Sequence, residues 1–145
     1  MKKIQHAQVD DFGNLAVLKQ KYPSVTSRVV STIRNQYGSY ANNSGNPWVV
    51  LRHGKSVFTD DQKSELGKAY KSKAANFSYI EAIRYSSPNV CPMCGSSSAG
   101  EVDHYLPQSE YPEFSVFSPN LVPACKCNST KNNNCLLYTS PSPRD

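Results

Sequence analysis

The run CPMCGSSSAGEVDHYLP, residues 91–107, holds two sets of chemically capable side chains. Cys91 and Cys94 stand at Cys-x-x-Cys spacing, and the Gly95 that follows permits the tight turn that aims two sulfurs the same way. A second pair, Cys125 and Cys127, lies further along and is one residue tighter. Zinc takes four soft ligands in a tetrahedron, so two cysteine pairs far apart in sequence can clamp two loops around one ion. Between the pairs an acid and an imidazole are adjacent, Asp103 and His104. Either these groups share one metal with the sulfurs, or the cysteines build a frame in which the acid and imidazole do separate chemistry. Four unrelated buried thiols are the plain alternative.

Positioning these groups is work for the elements around them. Val102 and Tyr105 flank Asp103-His104 in a strand-like run, and the apolar run NLVPAC resumes after the turn-rich residues 107–119. That pattern reads as a hairpin whose strands are joined by a long loop. After it, NSTK begins a helix, with Asn128 close to its start. Upstream the chain reads as mostly helical. Leu15, Leu18 and Tyr22 fall at helical spacing, with Asp10 or Asp11 as cap and Pro23 as stop. Val25, Val29, Ile33 and Tyr37 predict an amphipathic helix over residues 24–40, and residues 41–47 have loop composition. WVVLRHG predicts a short strand. TDDQ, residues 59–62, has the form of a capping box, with Leu66 and Tyr70 on the buried face behind it. Asn76 is the expected cap of a further helix that buries Phe77, Ile80 and Ile83 and ends before Pro88. His6 and His53 lack companions at ligand spacing and are expected to be solvated.

The chain has 145 residues and a formal net charge of +5, enough for one domain-sized core and compatible with a polyanionic partner. No apolar run reaches the length of a membrane span, and MKKIQHAQVD lacks a signal-peptide core, so a soluble, cytoplasmic protein with no membrane partner is expected. In such a compartment four thiols in two close pairs suggest zinc before disulfides. The fifth cysteine opens CLLYTSPSPRD, residues 135–145, which back-translates to a transposase adapter from sequencing libraries. That tail is set aside as non-native, and the sequence before it is expected to break off near Asn134.

The combination CPMC…VDHYLPQS…NLVPACKCNSTK resembles the HNH endonucleases, the zinc-stapled group of the ββα-metal (His-Me finger) nucleases. It is also similar to the HNH domain of RNA-guided CRISPR nucleases, and the tyrosine and proline pattern of DHYLPQSEYPEF most resembles HNH proteins found beside Septu-type defence ATPases. The resemblance covers residues 86–134, about a third of the chain. It implies a structural zinc on Cys91, Cys94, Cys125 and Cys127. It implies also that His104 is the general base drawing a proton from the attacking water. A neutral imidazole suits that task because its ordinary pKa lies near neutrality. Asp103 and Asn128 match the ligands of a catalytic divalent cation, Mg²⁺ or another, and a hard cation with few protein ligands leaves sites for phosphate oxygens. Asn120 matches the middle asparagine, which ties the loop and orients His104. Lys131 would face the phosphate backbone. The Cys125-x-Cys127 spacing departs from the family's usual Cys-x-x-Cys.

The expected class is therefore α+β, with a helical region over residues 1–85 and a C-terminally truncated ββα-metal finger over residues 86–134. The expected activity is metal-dependent hydrolysis of phosphodiester bonds. DNA is the expected partner, with anti-phage defence as the setting and a defence ATPase as a candidate docking partner for the helices. The alternative is a zinc-ribbon module that binds nucleic acid or protein without cutting.

Overall fold

The computed structural model describes residues 8–50, 57–72, 74–87, 89–95 and 99–126. Helix α1, Asp11–Lys21, begins where the Asp10 carboxylate accepts the Gly13 amide at 2.9 Å, so Asp10 is the cap of the two acids. Lys19 and Lys21 in its last turn complement the negative helix end, and Leu15 and Leu18 are buried. Helix α2, Ser27–Asn42, starts three residues later than its apolar spacing predicts. The Val25 and Thr26 amides are already taken by the carbonyls of Tyr22 and Ser24, and the Ser24 amide by Glu65 Oε2 at 2.9 Å. Thr26 then caps the helix through the Val29 amide. The helix runs past Tyr40 and stops where Ser44 and Gly45 take positive φ. A Cβ at Gly45 would stand 2.7 Å from the Tyr40 ring, so both conformation and space ask for glycine here.

The strand expected at WVVLRHG does not form over its described part, Trp48 to Val50. Asn46 uses up the donors: its side-chain oxygen takes the Trp48 amide, and its carbonyl takes those of Val49 and Val50. The rest of that segment, with His53, lies outside the described residues, as does His6.

Helix α3, Asp60–Lys71, has the expected capping box, in which Thr59 and Gln62 each bond the other's backbone amide. Its buried face carries Leu66 and Ala69, with Tyr70 half-buried at the end. Helix α4, Tyr79–Arg84, follows a 3-10 turn, Ala75–Phe77. Asn76 sits inside that turn and caps nothing. The residue before α4 is Ser78, which makes no side-chain cap either. Phe77, Ile80 and Ile83 are buried and α4 ends ahead of Pro88, as their spacing predicts.

Strand β1, Glu101–His104, pairs antiparallel with β2, Leu121–Ala124, in the register Glu101 with Ala124 and His104 with Leu121. Helix α4 packs on both strands. The fold class is thus mixed α+β, with helices around a two-stranded sheet.

The connection between the strands is not a solvated loop. It folds into two 3-10 turns, Pro112–Phe114 and Ser118–Asn120, and residues 111–118 are all buried. Its aromatics supply the reason. The Tyr37 ring stacks on Phe117 with centroids 4.0 Å apart, and Tyr40 meets Phe114 edge-on at 5.0 Å. The Tyr40 hydroxyl also donates to the Pro119 carbonyl at 3.2 Å, and that of Tyr79 to the Val116 carbonyl. One apolar cluster therefore runs from α1 and α2 through this connection to Val102 and Leu121 of the strands. Among the described residues, no helix is long and apolar enough to cross a membrane.

Candidate metal centre and histidine site

The antiparallel register assigns the two candidate groups to opposite ends of the hairpin. At the Glu101–Ala124 end, the Gly100 amide donates to the Ala124 carbonyl at 3.0 Å, which extends the ladder toward Cys125. There the knuckle closes. The Gly95 amide bonds the Cys91 carbonyl at 2.8 Å, with Gly95 at φ +78°, and the Cys125 amide donates to Cys91 Sγ at 3.3 Å. The sulfurs of Cys91, Cys94 and Cys125 all lie within 4.8 Å of one another, and those of Cys94 and Cys125 are 3.5 Å apart.

A tetrahedral zinc with Zn–S of about 2.3 Å sets its sulfurs about 3.8 Å apart, so the trio has the dimensions of a structural zinc site. None of the three is joined in a disulfide among the described residues. Among the described residues this trio is the one cluster of potential metal ligands, and neither Asp103 nor His104 belongs to it. The fourth expected ligand, Cys127, lies outside the described residues, as do Asn128, Lys131 and residues 135–145.

At the other end, roughly 10 Å along the strand by the usual rise per residue, stands His104. Its Nε2 lies 2.9 Å from the Ser115 carbonyl oxygen. A carbonyl can only accept, so Nε2 carries the hydrogen, and in the neutral ring the lone pair belongs to Nδ1. From α3 the Tyr70 ring packs against the imidazole with centroids 4.6 Å apart, and its hydroxyl reaches the Val102 carbonyl at 3.4 Å. Burial raises the Tyr70 pKa, so the phenol stays protonated at neutral pH. Asp103, one residue earlier and directly opposite Val122, is 6 % exposed.

Asn120 is fully buried between β1 and the connection. Its Oδ1 accepts the Leu106 amide at 2.8 Å, its Nδ2 donates to the Leu106 carbonyl at 3.1 Å, and its own carbonyl accepts the Tyr105 amide at 2.8 Å. The chain just after His104 is thereby fixed to the start of β2.

Several residues outside the expected set hold this end together. Ser115, whose carbonyl faces His104, has its hydroxyl fixed to the Pro112 carbonyl at 2.6 Å and takes a bond from Gln108 Nε2 at 3.1 Å. Asp11 of α1 reaches across the molecule, taking the Ser118 amide at 2.8 Å and the Ser118 hydroxyl at 2.6 Å. The doubled acid Asp10-Asp11 was the available signal, since one cap needs only one carboxylate. Nothing in the local pattern marked Ser115, and the helical spacing marked Tyr70 only as a buried-face residue of α3. Glu113 is another surprise. It is 1 % exposed, and neither carboxylate oxygen has a hydrogen-bond partner among the described residues. Burial pushes its carboxyl up to about 8.

No family profile matches the chain, and no solved structure matches it. It is similar to Protein ea31 of Escherichia phage lambda, 45 % identical over 74 residues. That match covers 46 % of this chain and 25 % of the phage protein, so the chain spans about a quarter of the length of that relative.

Proposed function

We propose that the chain carries a zinc-stapled ββα-metal finger of the HNH type and hydrolyses phosphodiester bonds of DNA. The observation that carries this reading is the pairing of His104 Nε2 with the Ser115 carbonyl oxygen at 2.9 Å. That contact makes Nε2 the donor, so in the neutral ring Nδ1 is the basic nitrogen, the tautomer a general base working through Nδ1 needs. Tyr70 at the ring face and Asn120 behind the following residues restrict its motion, as fits a side chain that must meet one water in one direction.

The cysteine trio supports the structural half of the reading. With Cys127 as fourth ligand, Cys91, Cys94 and Cys125 would hold zinc and staple the start of β1 to the end of β2. Asp103 and Asn128 are the residues that would hold a catalytic cation such as Mg²⁺. When bound, that ion would supply positive charge to the phosphate oxygens. Lys131 would add a point charge toward the strand's backbone. Anti-phage defence and a defence ATPase as partner follow from the resemblance of the motif, and a cytoplasmic setting from the apolar patterning of the sequence; all three belong to the same proposal.

The test is nicking of supercoiled plasmid by the full chain in the presence of Mg²⁺ or Mn²⁺. His104→Ala should slow cleavage by on the order of 100- to 10,000-fold, with zinc content and DNA affinity unchanged. Asp103→Ala should be inactive through weakened cation binding, so raised Mn²⁺ should restore part of its activity but little of that of His104→Ala. Cleavage by His104→Ala at the parental rate would remove the nuclease reading. DNA binding without any cutting would favour the zinc-ribbon module.

A further inference from the structure

The finger residues do not account for a cleft of about 580 Å³ between the end of α3 and α4. Tyr70, Lys71, Phe77, Ile80, Glu81 and Arg84 contribute to its walls. Tyr70 is shared: the residue that lines the cleft also packs on the His104 ring. The cleft is therefore one side chain away from the candidate base.

Its chemistry is specific. Phe77 and Ile80 are buried and supply apolar wall, and Tyr70 supplies an aromatic one. Arg84 and Lys71 are cationic. Among the described residues the buried Nε–H of Arg84 has no hydrogen-bond partner, while its Nη2 stands 3.3 Å from Glu81 Oε1. A buried N–H donor without an acceptor is unfavourable, and a bound oxygen would relieve it. The Glu81 side chain is 63 % exposed, so its pairing with Arg84 is weak and open to competition.

We infer that this cleft binds one nucleotide of a DNA strand, with the phosphate on Arg84 and Lys71 and the base against Tyr70. A nucleoside monophosphate suits the volume, and an aromatic wall beside cations is the usual way single-stranded nucleic acid is held without sequence readout. The inference rests on the proposed nuclease reading and deepens it. The helices then contribute a subsite that fixes where the strand enters relative to His104.

The experiment is a titration of the full chain with a deoxynucleoside 5′-monophosphate, followed by NMR of the Arg side-chain N–H signals. The unphosphorylated nucleoside and inorganic phosphate serve as separate arms. The monophosphate should shift the Arg84 Nε–H signal and bind more tightly than either arm. Arg84→Gln should weaken it by about 10-fold or more, the order expected for one charge-assisted bond, and Lys71→Ala, at an exposed position, by less. Glu81→Gln should tighten it, because the competing carboxylate is gone.

Equal affinity in the parent, Arg84→Gln and Lys71→Ala would overturn the inference, as would phosphate alone binding as well as the nucleotide. No readout here depends on cleavage. A chain that binds the nucleotide through Arg84 yet cuts nothing would keep the subsite and remove the nuclease reading. A chain that cuts through His104 without binding the nucleotide would do the reverse.

Discussion

Asn120 clasps Leu106 by both backbone groups, accepting its amide at 2.8 Å and donating to its carbonyl at 3.1 Å. The two residues are fourteen apart in sequence, and the clasp closes the connection between β1 and β2 immediately after His104. Asn120→Ala would leave a buried amide and a buried carbonyl unpaired, at about 1–3 kcal/mol each before relaxation. Urea unfolding should show a loss of about 2–4 kcal/mol. Asn120→Asp should also be damaging, since an ionised carboxylate can take the Leu106 amide but offers nothing to its carbonyl. A loss below about 0.5 kcal/mol for Asn120→Ala, the level of an ordinary surface change, would contradict this account.

Cys91→Ser should lower zinc content and thermal stability together. Its sulfur accepts the Cys125 amide and belongs to the trio that joins the knuckle to the end of β2. Metal binding of this kind is part of the folding free energy. Elemental analysis of purified protein should find about one zinc per parent chain, four thiolates making one closed site. A chelator should depress the melting temperature of the parent more than that of the variant. Equal stability with and without metal would exclude a structural role for the site.

The neighbouring acids Asp10 and Asp11 should behave differently. Asp10 caps α1 at an exposed position, so Asp10→Ala should cost about 1 kcal/mol. Asp11 takes both the amide and the hydroxyl of Ser118, tying α1 to the turn that carries Asn120. Two bonds to a charged acceptor across 107 residues of sequence should make Asp11→Ala the costlier change, at about 2–4 kcal/mol. Hydrogen exchange of the Ser118 amide separates the cases: Asp11→Ala should speed it selectively and Asp10→Ala should not.

Glu113 gives the chain a pH dependence with a defined sign. Its carboxyl titrates near 8 when folded, against an ordinary value of 4.5. Below pH 4.5 both states hold the proton and the full stability is present. Between pH 4.5 and 8 the unfolded chain has released it and the folded chain has not, so stability falls as pH rises through that window. Glu113→Gln keeps the shape without the charge and should flatten this part of the curve. Its advantage over the parent should grow toward pH 8 and reach on the order of 2–4 kcal/mol. Parallel pH profiles of parent and variant would show that the carboxyl does not titrate in this way.

The sequence by itself determined what depends on neighbours along the chain. The Thr59–Gln62 capping box, an acidic cap at Asp10 or Asp11, the buried stripes of the helices and the strand-like runs around Asp103 all follow from local hydrogen bonding and apolar periodicity. The cysteine knuckle was legible because Cys91, Cys94 and Gly95 are contiguous. Local pattern failed where a remote group took over a backbone donor or a side chain. Ser24 is claimed by Glu65, so α2 starts at Ser27, and Asn46 holds the amides that a strand at Trp48 to Val50 would need. Residues 107–119 read as a turn-rich loop, because prolines and polar residues interrupt every period. Only tertiary packing of Phe114 and Phe117 against Tyr37 and Tyr40 makes them core, since the apolar surface that rewards their burial lies on α2, more than seventy residues away. The same is true of the histidine site. Its type and its neighbour Asp103 were in the sequence, but the carbonyl that sets its tautomer and the ring that packs on it come from Ser115 and Tyr70. Folding alone brings those together, because a hydrogen bond and a ring contact depend on distance in space rather than along the chain.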